Sequence, residues 1–182
     1  MAQVTNAEAI AANQRNSPLL RLPAELRNLI YHYALGNCTL SLVPSQKSLR
    51  LFQRDMPAFP LLAVCTQIQS EAALLPYILN TWDIATRDTL YLFLEKIHPR
   101  YIQAIKKLDI GPWTVALQST GMICAWLEKF KALEEVVFSY DPSFDQTWIH
   151  DWVQRWERVV TLMRERLPLV RTATRGSREG VP

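Results

Sequence analysis

The sequence is poor in the residues from which disulfide, metal and phosphate sites are usually built. Its three cysteines, Cys38, Cys65 and Cys124, are widely spaced and form no C-x-x-C pair, so neither a disulfide framework nor a zinc site is predicted. The five glycines form no phosphate-binding loop or dinucleotide fingerprint, and the three histidines lack a catalytic or metal-binding spacing. We therefore expect no metal, no cofactor and no catalytic residue, and we favour a binding protein over an enzyme.

The chain also lacks a strong excess of charge and any long apolar run. The 20 basic residues against 17 acidic residues leave a net charge of +3, which argues against a nucleic-acid-binding protein. No apolar stretch approaches the roughly 20 residues that span a membrane, and no basic start followed by an apolar segment marks a secretory signal. We therefore expect a cytoplasmic or nuclear protein with no membrane partner.

What is present is the composition of one globular domain. The 182 residues are 49% hydrophobic and 20% charged, which is enough apolar side chain to bury a core. Residues 1–17, rich in alanine, asparagine and glutamine, are predicted to be a disordered lead-in. Residues 18–168 are predicted to form a single α/β domain, and residues 169–182 a basic flexible tail.

The first strong helical pattern runs from Pro23 to Leu35. Pro23 suits the first helical position, because its missing N–H would have no intrahelical partner there. The apolar stripe of this helix has helical spacing and consists of Leu22, Leu26, Leu29, Ile30 and Tyr33. A second helix is predicted from Leu61 to Ala73, with a short strand at residues 39–43 between the two.

A strand-like segment followed by a helical stretch then recurs. The strand-like segments are residues 81–85, 107–111 and 135–139, and their alternation aligns Trp82 and Ile84 with Leu108 and Ile110 and with Val136 and Phe138. Strands that alternate with helices predict a short, mainly parallel sheet of three to four strands, and the spacing is in the leucine-rich-repeat range. We expect the N-terminal helix to pack on this sheet, other helices to cover one face, and a long C-terminal helix to close the domain.

Asp83 and Asp109 occupy equivalent points of two neighbouring predicted strands. Because strand side chains alternate between faces, both aspartates should leave the apolar side together, about 5 Å apart if the strands are adjacent. Such a pair suits a shared proton or a metal, in a small enzyme or ligand-binding protein with a pocket there. The alternative is an exposed sheet face on which Lys106, Lys107 or Arg87 balances the charge.

The last predicted helix, at residues 146–167, carries an aromatic stripe. Trp148, Trp152 and Trp156 follow one another at intervals of four residues. Three interpretations remain open: a face for a ligand or partner, the seam of a homodimer, or a contribution to the core of the domain itself.

Two blocks of the sequence resemble the motifs of fungal F-box-like proteins. The first, Leu22-Pro-Ala-Glu-Leu-Arg-Asn-Leu-Ile-Tyr31, has the Leu-Pro-x-Glu-Leu-Arg-x-x-Ile-Tyr pattern of an F-box opening. The second, Val64-Cys-Thr-Gln-Ile-Gln-Ser-Glu-Ala72, has that family's Val-Cys-x-Gln-Ile-x-x-Glu-Ala pattern and precedes Tyr77 and Asn80-Thr-Trp82. The resemblance covers residues 17–85 and extends weakly into the β-α remainder.

The resemblance implies a function in protein interaction. F-box proteins bind the Skp adaptor of SCF ubiquitin ligases and recruit a protein substrate with the rest of the chain. By this resemblance the adaptor contacts would be Leu22, Pro23, Leu26 and Ile30, and the β-α part would hold the substrate. The alternative is that these four residues pack into the domain's own core.

Overall fold

A computed structural model describes residues 6–45, 48–53, 59–111, 120–140 and 146–176. The helices in these ranges are α1 (Asn6–Asn16), α2 (Ala24–Leu35), α3 (Thr66–Ala72), α4 (Leu75–Leu79), α5 (Arg87–Lys96), α6 (Pro99–Ala104), α7 (Thr120–Leu127) and α8 (Gln146–Arg166). A short 3-10 helix, Pro60–Ala63, precedes α3. The strands are β1 (Thr39–Ser45), β2 (Ser48–Gln53), β3 (Thr81–Ile84), β4 (Lys107–Ile110), β5 (Glu135–Tyr140) and β6 (Arg171–Gly176).

These strands form one mixed sheet in the order β2-β1-β3-β4-β5-β6. β1 pairs with β2 as an antiparallel hairpin, and every other neighbouring pair is parallel. The predicted α/β class and the mainly parallel arrangement are therefore confirmed. The prediction of three to four strands is too low, because it did not include β2 or β6.

The main core lies on one face of the sheet. Register pairing places Leu40, Trp82, Leu108 and Val136 in one row across the four central strands, and all four are buried. Side chains from α5, α6, α7 and α8 pack against this face in the same hydrophobic cluster. Alternation in a β-strand then sends the intervening residues of each strand to the opposite face.

Helix α2, which the sequence analysis expected to pack on the sheet, packs away from it in a second hydrophobic cluster. Tyr31 and Leu35 of α2 meet Ile68 and Ala72 of α3, together with Leu20 from the preceding turn. The expectation that this helix packs on the sheet is therefore wrong. The 3-10 helix and α3 supply the apolar partners of α2, and they form a helical layer beside the sheet.

Both chain ends carry more structure than their composition predicted. Residues 6–16, predicted to be disordered, form α1, in which alanine-rich sequence, Glu8 in the first turn and Arg15 in the last turn all favour a helix. Residues 171–176, predicted to be flexible tail, form β6, whose backbone pairs with β5 over six residues. Within the ranges given above, no helix is long and apolar enough to cross a membrane.

Candidate interaction site

Helix α2 has a large apolar surface that faces solvent. Pro23 stands at its N-terminal boundary, and Glu25 lies in the first turn, where the helix dipole favours a negative charge. The exposed fractions of four large side chains on one side of the helix are 48% for Leu26, 53% for Leu29, 40% for Ile30 and 77% for Tyr33. We call these four residues the outer stripe. Contiguous exposed apolar residues of this kind mark interaction sites in soluble proteins.

The structure separates the predicted adaptor contacts into two groups. Leu26 and Ile30 belong to the outer stripe, and Pro23 beside them is also exposed. Leu22 is half-buried. Sequence reasoning had placed Leu29 and Tyr33 in the apolar stripe of the helix but had not assigned them as contacts, and helical spacing is the signal that relates them to Leu26 and Ile30.

The opposite side of α2 is held by a polar network centred on the Glu71 carboxylate of α3. Arg27 binds it in a bidentate ion pair, with Nη2 2.8 Å from Oε1 and Nε 3.0 Å from Oε2. The buried Tyr31 donates its hydroxyl to Oε2 at 2.9 Å, and Gln67 donates its amide to Oε1 at 2.9 Å. Arg27 Nη1 also donates to the carbonyl of Leu22 at 2.6 Å. All five of these residues come from the two motif blocks, so the fold brings both blocks into direct contact.

The ionisation of this network follows from its hydrogen bonds. The pKa of the Glu71 carboxyl is lowered, chiefly because Arg27 donates hydrogen bonds to its charged form. Burial first, and the hydrogen bond to Glu71 second, raise the pKa of Tyr31 to about 12. Arg27 has a raised pKa, mainly because of its hydrogen bonds to Glu71. The ion pair and the neutral phenol are therefore the stable forms near neutral pH.

Asn80, which follows the second motif block, joins α2 to the sheet. Its side chain is fully buried, donates to the carbonyls of Leu35 at 2.6 Å and Pro76 at 2.9 Å, and accepts from the backbone N–H of Cys38 at 2.8 Å. Gly36 fits the same junction, because a Cβ there would lie 2.8 Å from the carbonyl oxygen of His32. These contacts fix the end of α2 at the point where β1 begins.

Tyr77 and Trp82, which also follow the second motif block, pack inside the domain. Their rings stack with centroids 4.9 Å apart, and Tyr77 stacks on its other side against Tyr101 of α6 at 4.7 Å. Trp82 is buried on the apolar face of β3. The stack therefore connects α4, β3 and α6.

Asp83 and Asp109 lie side by side on the polar face of the sheet. They are register partners on β3 and β4, whose neighbouring backbones lie about 4.8 Å apart. Asp83 accepts a hydrogen bond from Ser41 Oγ at 2.8 Å, and Asp109, which is buried, accepts one from Ser139 Oγ at 2.6 Å. In the described part of the chain, no group of three or more His, Cys, Asp and Glu side chains is placed to hold a metal ion.

The cations that we expected to balance these aspartates have other carboxylate partners. Lys106 pairs with Glu134 at 2.6 Å, Lys107 with Glu135 at 4.0 Å, and Arg87 with its neighbour Asp88 at 3.2 Å. The hydroxyls of Ser41 on β1 and Ser139 on β5 donate hydrogen bonds to the two aspartates. Sequence reasoning missed them because they lie 42 and 30 residues from the aspartates that they contact.

Within the aromatic stripe of α8, the structure describes the side chain of Trp156, and this side chain contributes to the domain's own core. Trp156 is half-buried and meets Phe138 of β5 edge to face, with ring centroids 6.2 Å apart. Val159 and Met163, further along α8, are buried in the main core. The side chains of Trp148 and Trp152 lie outside the described residues.

One enclosed cavity lies in the main core, and it is too small for a ligand. It measures about 10 Å³ and is lined by apolar side chains of β3, β4, α5 and α7 and the turn after α7. This space is no larger than one water molecule needs and offers it no polar partner, so it is a packing void. It therefore gives no support to a small-molecule site in the core.

Comparisons with known proteins add no relative to this description. No protein-family profile, curated protein or solved structure matches the chain. The functional interpretation therefore depends on the geometry of α2 and its network and on the motif resemblance.

Proposed function

We propose that this chain is a non-enzymatic protein-interaction module of the F-box-like kind, which binds the Skp adaptor of an SCF ubiquitin ligase through α2. The observation that carries the proposal is the outer stripe: Leu26, Leu29, Ile30 and Tyr33 are all at least 40% exposed on one side of the helix. A helix that presents large apolar residues at i, i+3, i+4 and i+7 suits the groove of a partner protein. The stripe lies in the segment that resembles an F-box.

The rest of the chain is proposed to serve as the substrate receptor. The polar face of the sheet carries Ser41, Asp83, Asp109 and Ser139 across four neighbouring strands. In the described part of the chain the apolar face is occupied by helices of the main core, so we assign the protein substrate to the polar face, where Ser41, Asp83 and Ser139 are partly exposed. A catalytic alternative would use the same two aspartates, but no group of three metal-binding side chains accompanies them in the described ranges.

Tyr33 provides the first test of the proposal. Replacing Tyr33 with alanine should weaken adaptor binding about tenfold, because a well-exposed tyrosine that becomes buried in an interface typically contributes 1–2 kcal/mol or more. The helix should stay folded, since Tyr33 is the most exposed residue of the outer stripe at 77%. The measurement is the dissociation constant for the purified Skp adaptor, by calorimetry or surface plasmon resonance.

Tyr91→Ala is the matched control. Tyr91 of α5 is also exposed, at 43%, but it lies against Trp126 on another surface of the domain. Its replacement should leave the dissociation constant unchanged. Equal effects of the two substitutions, or wild-type protein without affinity for the adaptor, would contradict the proposed function.

A further inference from the structure

The polar residues of the two motif blocks have no part in the outer stripe. Arg27, Tyr31, Gln67 and Glu71 point away from it, and the first two follow Leu26 and Ile30 by one residue each. One residue turns an α-helix by about 100°. The contacts that direct Arg27 and Tyr31 toward α3 therefore also direct Leu26 and Ile30 away from it.

Hydrophobic burial alone does not select this orientation of α2. The inner side buries two large apolar residues, Tyr31 and Leu35, whereas the outer stripe has four. Rotating the helix would bury more of the outer stripe but would expose Tyr31 and Leu35, so apolar area alone leaves both orientations available. A specific interaction is needed to select one of them.

The Glu71 network is such an interaction, and it acts beside the contacts of Asn80 and Gly36 that hold the end of α2. Both carboxylate oxygens are saturated, Oε1 by Arg27 and Gln67 and Oε2 by Arg27 and Tyr31. Rotation of α2 would break the bidentate pair between Arg27 and Glu71, and it would also separate the Tyr31 hydroxyl from its acceptor. Losing several hydrogen bonds to one carboxylate costs more than losing a single exposed ion pair, because the bidentate bonds and the bond from Tyr31 are lost together.

We infer that Glu71 is a positioning residue, which selects through Arg27 and Tyr31 the rotation of α2 that keeps the outer stripe available to a partner. The inference rests on the proposed function for the identity of that partner. The geometry of the network and its effect on α2 do not depend on it.

Two double variants test the inference. Arg27→Met with Glu71→Leu replaces the ion pair by apolar side chains and leaves neither charge unpaired. Arg27→Glu with Glu71→Arg restores the ion pair in reverse, but arginine at position 71 cannot accept the hydrogen bonds of Tyr31 and Gln67. The apolar variant should fold cooperatively but bind the adaptor about tenfold more weakly, because only a fraction of molecules then presents the outer stripe. The reversed variant should recover part of the affinity.

A second readout reports the rotation directly. Methyl NMR with a soluble paramagnetic agent distinguishes exposed from buried methyl groups, and α2 and α3 offer Ile30 at 40% exposure and Ile68 at 2%. In the wild type the agent should broaden the methyl signals of Ile30 strongly and those of Ile68 hardly at all. In the apolar variant the broadening of the Ile30 signals should fall, and in the reversed variant it should return in part.

The control and the outcomes separate this inference from the proposed function. Lys106→Met with Glu134→Leu removes an exposed ion pair of 2.6 Å elsewhere and should change neither readout. Wild-type protein that fails to bind the adaptor overturns the proposed function, while the methyl data still decide the role of Glu71. If Ile30 is broadened as strongly in the apolar variant as in the wild type, the positioning role of Glu71 is overturned, whether or not the protein binds the adaptor.

Discussion

Replacing Leu26 and Ile30 together with aspartate should abolish adaptor binding while the domain stays folded. Both side chains lie in the outer stripe, at 48% and 40% exposure, so aspartate at these positions meets water in the free protein. In a complex, each carboxylate would have to enter an apolar groove without a partner, at a cost of several kcal/mol. We expect the dissociation constant to rise by at least about 100-fold, which corresponds to roughly 2.8 kcal/mol.

A charge-matched control makes this result specific to α2. Met122→Asp with Val153→Asp adds the same two charges at exposed apolar residues of α7 and α8, at 41% and 37% exposure. This control should bind the adaptor as the wild type does. Far-ultraviolet circular dichroism and urea unfolding check that both variants are folded. Normal binding by a folded Leu26→Asp, Ile30→Asp variant would mean that the adaptor does not use α2.

Replacing Asn80 with alanine should produce the largest loss of stability among single substitutions outside the apolar cores. The side chain satisfies three backbone groups, the carbonyls of Leu35 and Pro76 and the N–H of Cys38, at 2.6 to 2.9 Å. Alanine leaves all three without this partner in a fully buried place, and each unsatisfied buried group is unfavourable by about 1–3 kcal/mol. After partial relaxation we expect the free energy of unfolding to fall by about 3 kcal/mol.

Urea unfolding monitored by tryptophan fluorescence measures this change. The midpoint should fall without a change in the slope, which indicates loss of stability with an unchanged unfolding transition. Asn13→Ala, at an exposed position of α1, is the control and should shift the free energy by less than about 0.5 kcal/mol. A loss below 1 kcal/mol in Asn80→Ala would show that water or a backbone shift replaces its three hydrogen bonds.

The central sheet was predictable because its signal is local. Residues 81–84 and 107–110 alternate strictly between polar and apolar, residues 135–138 repeat the apolar positions with Val136 and Phe138, and this pattern determines both the strand and the face that it buries. It also predicts that Asp83 and Asp109 lie on one face of neighbouring strands. The edge strands β2 and β6 were not predicted, because their sequences, SLRLFQ and RTATRG, depend on a paired neighbour for their backbone hydrogen bonds.

The orientation of α2 was not predictable from its own sequence. Apolar residues occur on both of its sides, so periodicity identified a helix but left open whether Leu26 and Ile30 face the core or the solvent. The residue that decides this, Glu71, lies 44 positions after Arg27, and no local pattern relates the two. The two motif blocks contained these partners, but only the fold shows that they meet.

Hydrogen–deuterium exchange with and without the Skp adaptor is the most direct measurement of the central claim. The account predicts that adding the adaptor slows backbone exchange in peptides covering residues 22–35, and that peptides from β3, β4 and β5 keep their free-state rates. The same protein carrying Leu26→Asp and Ile30→Asp should show no such protection. Unchanged exchange throughout the wild-type chain at a saturating adaptor concentration, or protection confined to the sheet, would contradict the assignment of α2 as the docking helix.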